Sequence, residues 1–419
     1  MRWVVAAVLL VACNASPPSS PTPPRESHDH GSAAAATTPV KPGGHVEGAA
    51  AMRPHHEEPV VECLAHVPES ADDETRVQAL LDQANKDIER GMYGAAWTCA
   101  DRASDVMPSS VEAHHLRGAT LAALGRDSEA QLAYSLALAL DPDDPETLRA
   151  VADFYINGKG DRGRDALRLG LELAQRGSRR AMARRRRNAP LAADLAVLEA
   201  QALNDLGRSD EALERVDAAL RIAPTRGDAM HERGVALFDL SRFADAKVAF
   251  SKALETQGND AYTHQMLGLT LEQLGEIAAA DIELKKAVEL APHELTAPVL
   301  ITVDEFQKEI DAVVAELPAE RKAHVKSIKV EIADLPDPTD LRAVQPPFPP
   351  TILGLYRGPV GRAPTVGDES PSIVLYRKNL ARAVKTRVEL SEQIRDTLLH
   401  EIGHLEGLDE DDLRRRGME

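Results

Sequence analysis

From about residue 73 to residue 295 the apolar and small positions of this chain recur every 34 residues. Gly207, Ser241 and Gly275 stand 34 apart, as do Pro224, Gly258 and Pro292. Gly91 with Gly125, and Pro108 with Pro142, keep the same interval. Apolar residues lie at helical spacing on both sides of a small-residue turn, so each unit reads as two amphipathic helices stopped by Pro or Gly. Such units bury their apolar faces only by stacking on neighbours, which builds a curved solenoid. Pro142 and Pro224 are 82 apart, two periods plus 14, so one unit there is irregular and carries an insertion.

At about Leu300 the period ends. Val303 to Leu317 reads as one amphipathic helix closed by Pro318, Ile328 to Ile332 alternates as a strand, and residues 343 to 352 are a Pro-rich loop. Leu353 to Tyr356 and Ser372 to Tyr376 read as further short strands. Ser391 can cap a last helix with Ile394, Leu398, Leu399 and Ile402 on its apolar face. The expected fold is multidomain: an all-α repeat solenoid over 73–298, then a small α+β domain over 303–419.

Ahead of the repeats, residues 14–62 are mostly small, polar and Pro-rich, with too few large apolar side chains to offset the entropy of ordering. They read as a tether spanning roughly 35–40 Å as a coil. His28, His30, His45, His55 and His56 dot it at spacings that match no closed metal site, which favours a polar spacer. Residues 1–13 read as an export signal, with Arg2 before an apolar run from Trp3 to Ala12 that is too short to span a bilayer. Cys63 and Cys99 are then the remaining cysteines, compatible with one disulfide or with two buried thiols.

Length and charge narrow the function. A chain of 419 residues has room for two or three cores, and an aromatic content of 3% suits helices packed through small aliphatic side chains. A net charge of -18 argues against nucleic acid, and against an anionic lipid surface as a bulk partner. Against that background Arg176, Arg179, Arg180 and Arg184 to Arg187 form a positive knot in the insertion. It either docks an acidic group or neutralises acidic faces nearby.

The candidate chemistry sits near the end, in His400-Glu401-Ile402-Gly403-His404. On a helix, a spacing of four puts both imidazoles on one face, where they can grip one zinc ion. Glu401 is then aimed to take a proton from the attacking water as general base. Gly407 can adopt the left-handed conformation that ends the helix and turns the chain back.

Three regions resemble known families. Leu10-Val11-Ala12-Cys13 resembles the bacterial lipobox, which implies that Cys13 carries a lipid and that the protein is extracytoplasmic and anchored by that lipid alone; Asn14 in place of Asp favours the outer membrane. Gly234-Val235-Ala236-Leu237 with Phe243, Ala246, Phe250 and Ala253 resembles the tetratricopeptide consensus, which implies a groove for protein or peptide partners. Ile328 to Asp337, Leu353 to Gly358, Pro371 to Tyr376 and Thr397 to His404, in that order, resemble the minimal zincin-like metallopeptidases. That resemblance implies a zinc peptidase with His400 and His404 as ligands and Glu401 as base. The family's third ligand is commonly an Asp three residues beyond the glycine; Glu410 stands there, flanked by Asp409 and Asp411. The strand at Ser372 to Tyr376 is expected to be the free edge that pairs with substrate.

Two functions follow as expectations. One is a lipid-anchored zinc metallopeptidase whose repeats recruit protein partners; the other is a non-catalytic repeat scaffold whose zincin-like domain is structural or degenerate.

Overall fold

The 34-residue punctuation has a direct backbone cause. In a computed structural model, Gly91, Gly125, Gly207, Ser241 and Gly275 all sit at φ between +55° and +75°, in the turn between paired helices. The structure describes residues 62–67, 70–158, 163–183, 188–359 and 370–415, without the side chains of Glu410, Asp411 and Arg414. The expected signal, lipidation site Cys13, nearly all of the tether, and Arg184 to Arg187 lie outside the described residues.

The helices pair as α1 (Asp73–Glu89) with α2 (Tyr93–Val106), α3 (Val111–Ala123) with α4 (Asp127–Leu140), and α5 (Pro145–Asn157) with α6 (Gly163–Ala181). Then follow α7 (Ala189–Asp205) with α8 (Ser209–Ile222), α9 (Gly227–Asp239) with α10 (Phe243–Thr256), and α11 (Ala261–Gln273) with α12 (Ile277–Leu290). Side-chain caps start several of them: Asp72, Ser110, Asp144 and Asp260 each accept a backbone N–H of the first turn. Between helices small residues do the packing, with Ala100, Ala137, Ala200 and Ala253 fully buried. Cys63 and Cys99 are joined, with an S–S distance of 2.00 Å, which ties the segment before α1 to α2.

The irregular unit takes up part of its extra residues by lengthening helices. α6 runs 19 residues and α7 runs 17, against 13 or 14 in the neighbouring units. Arg176 and Arg180 lie on α6 and bracket Asp143 at 2.9 and 2.5 Å. Where it is described, the arginine knot neutralises a neighbouring acidic residue.

The C-terminal part begins with α13 (Val303–Glu316), started by a reciprocal Thr302–Glu305 capping box. α14 (Ala319–Ser327), β1 (Lys329–Ala333), α15 (Pro338–Leu341), β2 (Gly354–Arg357) and β3 (Ser372–Tyr376) follow. α16 (Arg377–Ala383), α17 (Arg387–Leu405) and α18 (Glu410–Arg415) complete it. The sheet order is β1-β3-β2, with β1 parallel and β2 antiparallel to β3.

Two expectations are corrected here. Ser372 to Tyr376 is the central strand, paired on both sides, because its five residues are all buried and only a central position satisfies such a run. The antiparallel edge is β2. The last helix also starts earlier than Ser391: Thr386 caps it with Glu389 in a capping box, while Ser391 lies inside and donates to Glu309 at 2.7 Å.

The sheet packs on both faces. Ile373 and Leu375 join Phe306, Ile310, Ile394, Leu398 and Ile402 on the α13/α17 side. Val374, Tyr376 and Leu355, with Leu341, Phe348 and Ile352, share a second cluster with Phe238, Phe250, Leu267 and Leu271 of the repeats. The last repeats and the C-terminal domain therefore bury apolar surface in common.

Candidate metal centre

α17 places the candidate chemistry. Leu390, Ile394 and Leu398 hold one face against the sheet and α13, and the same face carries His400, Glu401 and His404 inward, with exposures of 0%, 0% and 1%. A helical separation of four brings the two imidazole Nε2 atoms to 3.1 Å. His404 Nδ1 faces the Leu408 carbonyl at 3.0 Å, and since a carbonyl only accepts, Nδ1 carries the proton and Nε2 the lone pair.

The carbonyl reaches His404 because the helix ends as Gly407 requires. At φ +86°, Gly407 donates to the His404 carbonyl, and Leu408 donates to that of Gly403 at 3.0 Å. The reversed chain then starts α18, where Asp409 Oδ1 accepts from Asp412 N at 2.8 Å. Asp409 is thus engaged as a helix cap, while the side chains of Glu410 and Asp411 lie outside the described residues. Among the described residues no group of three or more His, Cys, Asp or Glu is gathered for a metal.

The donor pair fits zinc. Two nitrogens bound at about 2.0–2.1 Å with tetrahedral angles would stand roughly 3.3 Å apart, close to the observed Nε2 spacing. The Leu408 carbonyl orients its ligand as outer-shell acceptors do in zinc sites.

Two wall residues, Gly354 and Tyr376, come from the stretches that resemble the zincin-like strands. Gly354 of the edge strand lies directly on α17: a Cβ there would stand 2.6 Å from Thr397 Cγ2 and 3.1 Å from Glu401 Oε1. Tyr376 is fully buried, and burial, then the charges of Asp340 and Glu401, push its phenol up and keep it neutral. Around them, Arg357 pairs with Asp340 at 2.5 Å, and Glu406 holds His324 at 2.9 Å and Arg321, tying α14 to the end of α17. The repeat alongside contributes Glu272, which takes Lys378 at 2.8 Å and Arg382, both on α16.

Residues 325–418 match the family model described as zincin-like metallopeptidase, and residues 111–144 and 261–294 match the model for the tetratricopeptide repeat. The chain carries a zincin-like domain behind a tetratricopeptide solenoid. Among solved structures it is similar to PilF of Pseudomonas aeruginosa, with 16% identity over 57% of this chain and 99% of that one and a TM-score of 0.45. PilW, a type IV pilus biogenesis factor, is similar at 16% identity over 52% of this chain and 94% of that one, with a TM-score of 0.45. YrrB, a tetratricopeptide protein with an unusual peptide-binding site, matches at 17% identity over 46% of this chain and 93% of that one, with a TM-score of 0.35. No curated protein matches the chain.

Proposed function

We propose that this chain is a zinc metallopeptidase whose repeats receive a protein partner or substrate, held at a membrane by a lipid on Cys13. The observation that carries the reading is the buried His400–His404 pair, with converging Nε2 atoms and Glu401 beside it on the same turn. A bound zinc ion would supply the Lewis acidity that polarises a peptide carbonyl. His400 and His404 would hold it, and the Leu408 carbonyl sets the tautomer of the second. Glu401 takes the proton of the attacking water and returns it to the leaving amine. The edge strand β2 lines up an extended substrate backbone, since no described strand pairs with its outer side. Glu410 is the proposed third ligand.

The complete burial of His400, Glu401 and His404 favours a second reading, a scaffold whose metal is structural. Purified protein assayed on a mixed peptide library separates the two. The peptidase reading requires cleavage that a chelator stops and that Glu401→Gln abolishes with zinc still bound. Inactivity of zinc-loaded protein supports the scaffold. Alanine at 409, 410 and 411 in turn, followed by zinc stoichiometry, tests the third ligand: Glu410→Ala should lose zinc and Asp409→Ala should keep it. Cys13→Ser should move the protein to the soluble exported fraction; persistent membrane binding would refute the anchor.

A further inference from the structure

The repeats contain a cavity of about 520 Å³ that the metal chemistry does not use. It lies between the first helices of successive units, lined by Gln201 of α7, Asp228, His231 and Glu232 of α9, and Asp260 and Tyr262 at the start of α11. Its size is that of a side-chain or small-ligand pocket.

Its charged and imidazole groups, Asp228, Glu232, Asp260 and His231, offer acceptors, beside the amides of Gln201, Gln257 and Asn259 and the Tyr262 hydroxyl. Thr263 donates its hydroxyl proton to Asp260, so the His231 Nδ1 that stands 2.7 Å from that hydroxyl oxygen must itself donate. Burial lowers the His231 pKa, which keeps the ring neutral and makes Nε2 an acceptor. Arg226 satisfies Asp228 and Asp194. Glu232 is 2% exposed and receives Asn204 Nδ2 at 3.0 Å and the Gln201 amide, but among the described residues no Lys or Arg pairs with it. Burial first of all raises its carboxyl to about 8, as expected where no cation compensates a buried acid.

The repeat itself does not call for this acid. At the corresponding place 34 residues to either side stand Leu198 and Met266, Leu116 occupies it in the second unit, and the acid of the first unit, Asp82, is exposed. The His–Thr–Asp relay, by contrast, recurs there as His115, Thr147 and Asp144, and so belongs to unit packing. A buried acid where the neighbouring units place an apolar side chain costs stability without a cation to meet it.

We infer that this cavity takes the basic side chain, lysine or arginine, of an extended partner polypeptide, with Glu232 as the carboxylate that meets it. The inference rests on the proposal that the repeats receive polypeptide. An ammonium or guanidinium is donor-only and matches a cavity with three acids, Asp228, Glu232 and Asp260, in its lining, whereas a carboxylate would be repelled by them.

The test uses the purified full chain and fluorescently labelled, capped decapeptides of Ala, Gly and Ser that differ only in a central Lys, Arg, norleucine or Glu. Fluorescence polarisation should show the Lys or Arg peptide binding at least tenfold tighter than norleucine. Glu232→Gln and Glu232→Leu, the second of which gives the residue of the preceding unit, Leu198, should each remove that preference while circular dichroism stays unchanged. Equal binding of the norleucine peptide, stronger binding of the Glu peptide, or a preference that survives both substitutions overturns the cation pocket and leaves peptide reception by the repeats standing. Absence of binding by every peptide overturns both.

Discussion

Gly354 and Glu401 share one contact: the edge-strand backbone rests on the turn of α17 that carries the candidate base, so closely that a Cβ at 354 would lie 3.1 Å from Glu401 Oε1 and 2.6 Å from Thr397 Cγ2. The distance to Thr397 is shorter than any real contact, so Gly354→Ala must push strand and helix apart. Overpacking of this kind costs about 1–3 kcal/mol. Peptide cleavage should fall by at least tenfold, because displacement of a positioned group by an ångström is costly. Removing the obstructing methyl in Gly354→Ala/Thr397→Ser should restore part of both losses. A double variant no better than Gly354→Ala, in melting and in turnover, would show that the contact does not set the site.

Glu272 joins the repeats to the C-terminal domain. Its side chain is 2% exposed and serves two cations of α16, Lys378 and Arg382, beside the shared apolar cluster. Removing the anion leaves two charges facing each other, an effect of about 3–5 kcal/mol where burial is complete. Lys378 and Arg382 keep 22% and 21% of their side chains in solvent, so about 2 kcal/mol is expected for Glu272→Gln. Calorimetry should show the C-terminal domain melting ahead of the repeats in the variant. An unchanged unfolding profile would mean that the apolar cluster alone couples the two parts.

Ser241 is the one non-glycine at positive φ among the described residues, at +55°. Its Oγ is buried without a hydrogen-bond partner among the described residues, so the hydroxyl offers nothing against the left-handed strain. Ser241→Gly should raise stability by about 0.5–1 kcal/mol, read as a higher urea midpoint at unchanged slope. Destabilisation would show that Ser241 contributes packing outweighing its backbone strain.

These positions mark how far the chain can be read without coordinates. Ser241 was legible because Gly207 and Gly275 stand one period to either side, and a turn at left-handed φ admits few residues. The helix with His400 and His404 was legible because a spacing of four fixes one face. Strand order was not: β2 and β3 are both short apolar runs, and which one lies at the edge depends on a long-range parallel pairing with β1 that leaves no local mark. The start of α17 is ambiguous locally because Thr386 and Ser391 are both competent caps, and Glu389, three residues on, selects Thr386. Gly354 and Glu272 escaped for the same reason. Each acts through a partner 47 or 106 residues away in the chain.

The last prediction concerns Asp205 and Asp239, one period apart at the ends of α7 and α9. Burial, with the Asp239 charge adding, raises Asp205 to about 7; burial raises Asp239 to about 7 against a hydrogen bond from Ser209 at 3.1 Å. Both folded values lie above the roughly 3.9 of an unfolded aspartate. Between about pH 4 and pH 7 the folded chain therefore holds protons that the unfolded chain has released, so this contribution is full below pH 4 and is lost as the pH rises through 7. Asp239→Asn keeps an acceptor for Ser209 and removes the charge that raises Asp205. The variant should match the parent near pH 4 and exceed it by on the order of 1–2 kcal/mol at pH 8. Urea unfolding at intervals from pH 4.5 to 8, with chelator present so that the histidine pair binds no metal, measures the difference directly. Glu232 titrates in the same sense in both proteins, and its coupling to Asp205 enters the difference with the same sign. A stability difference that stays constant across this range would show that the two carboxyls titrate alike in the folded and unfolded chains.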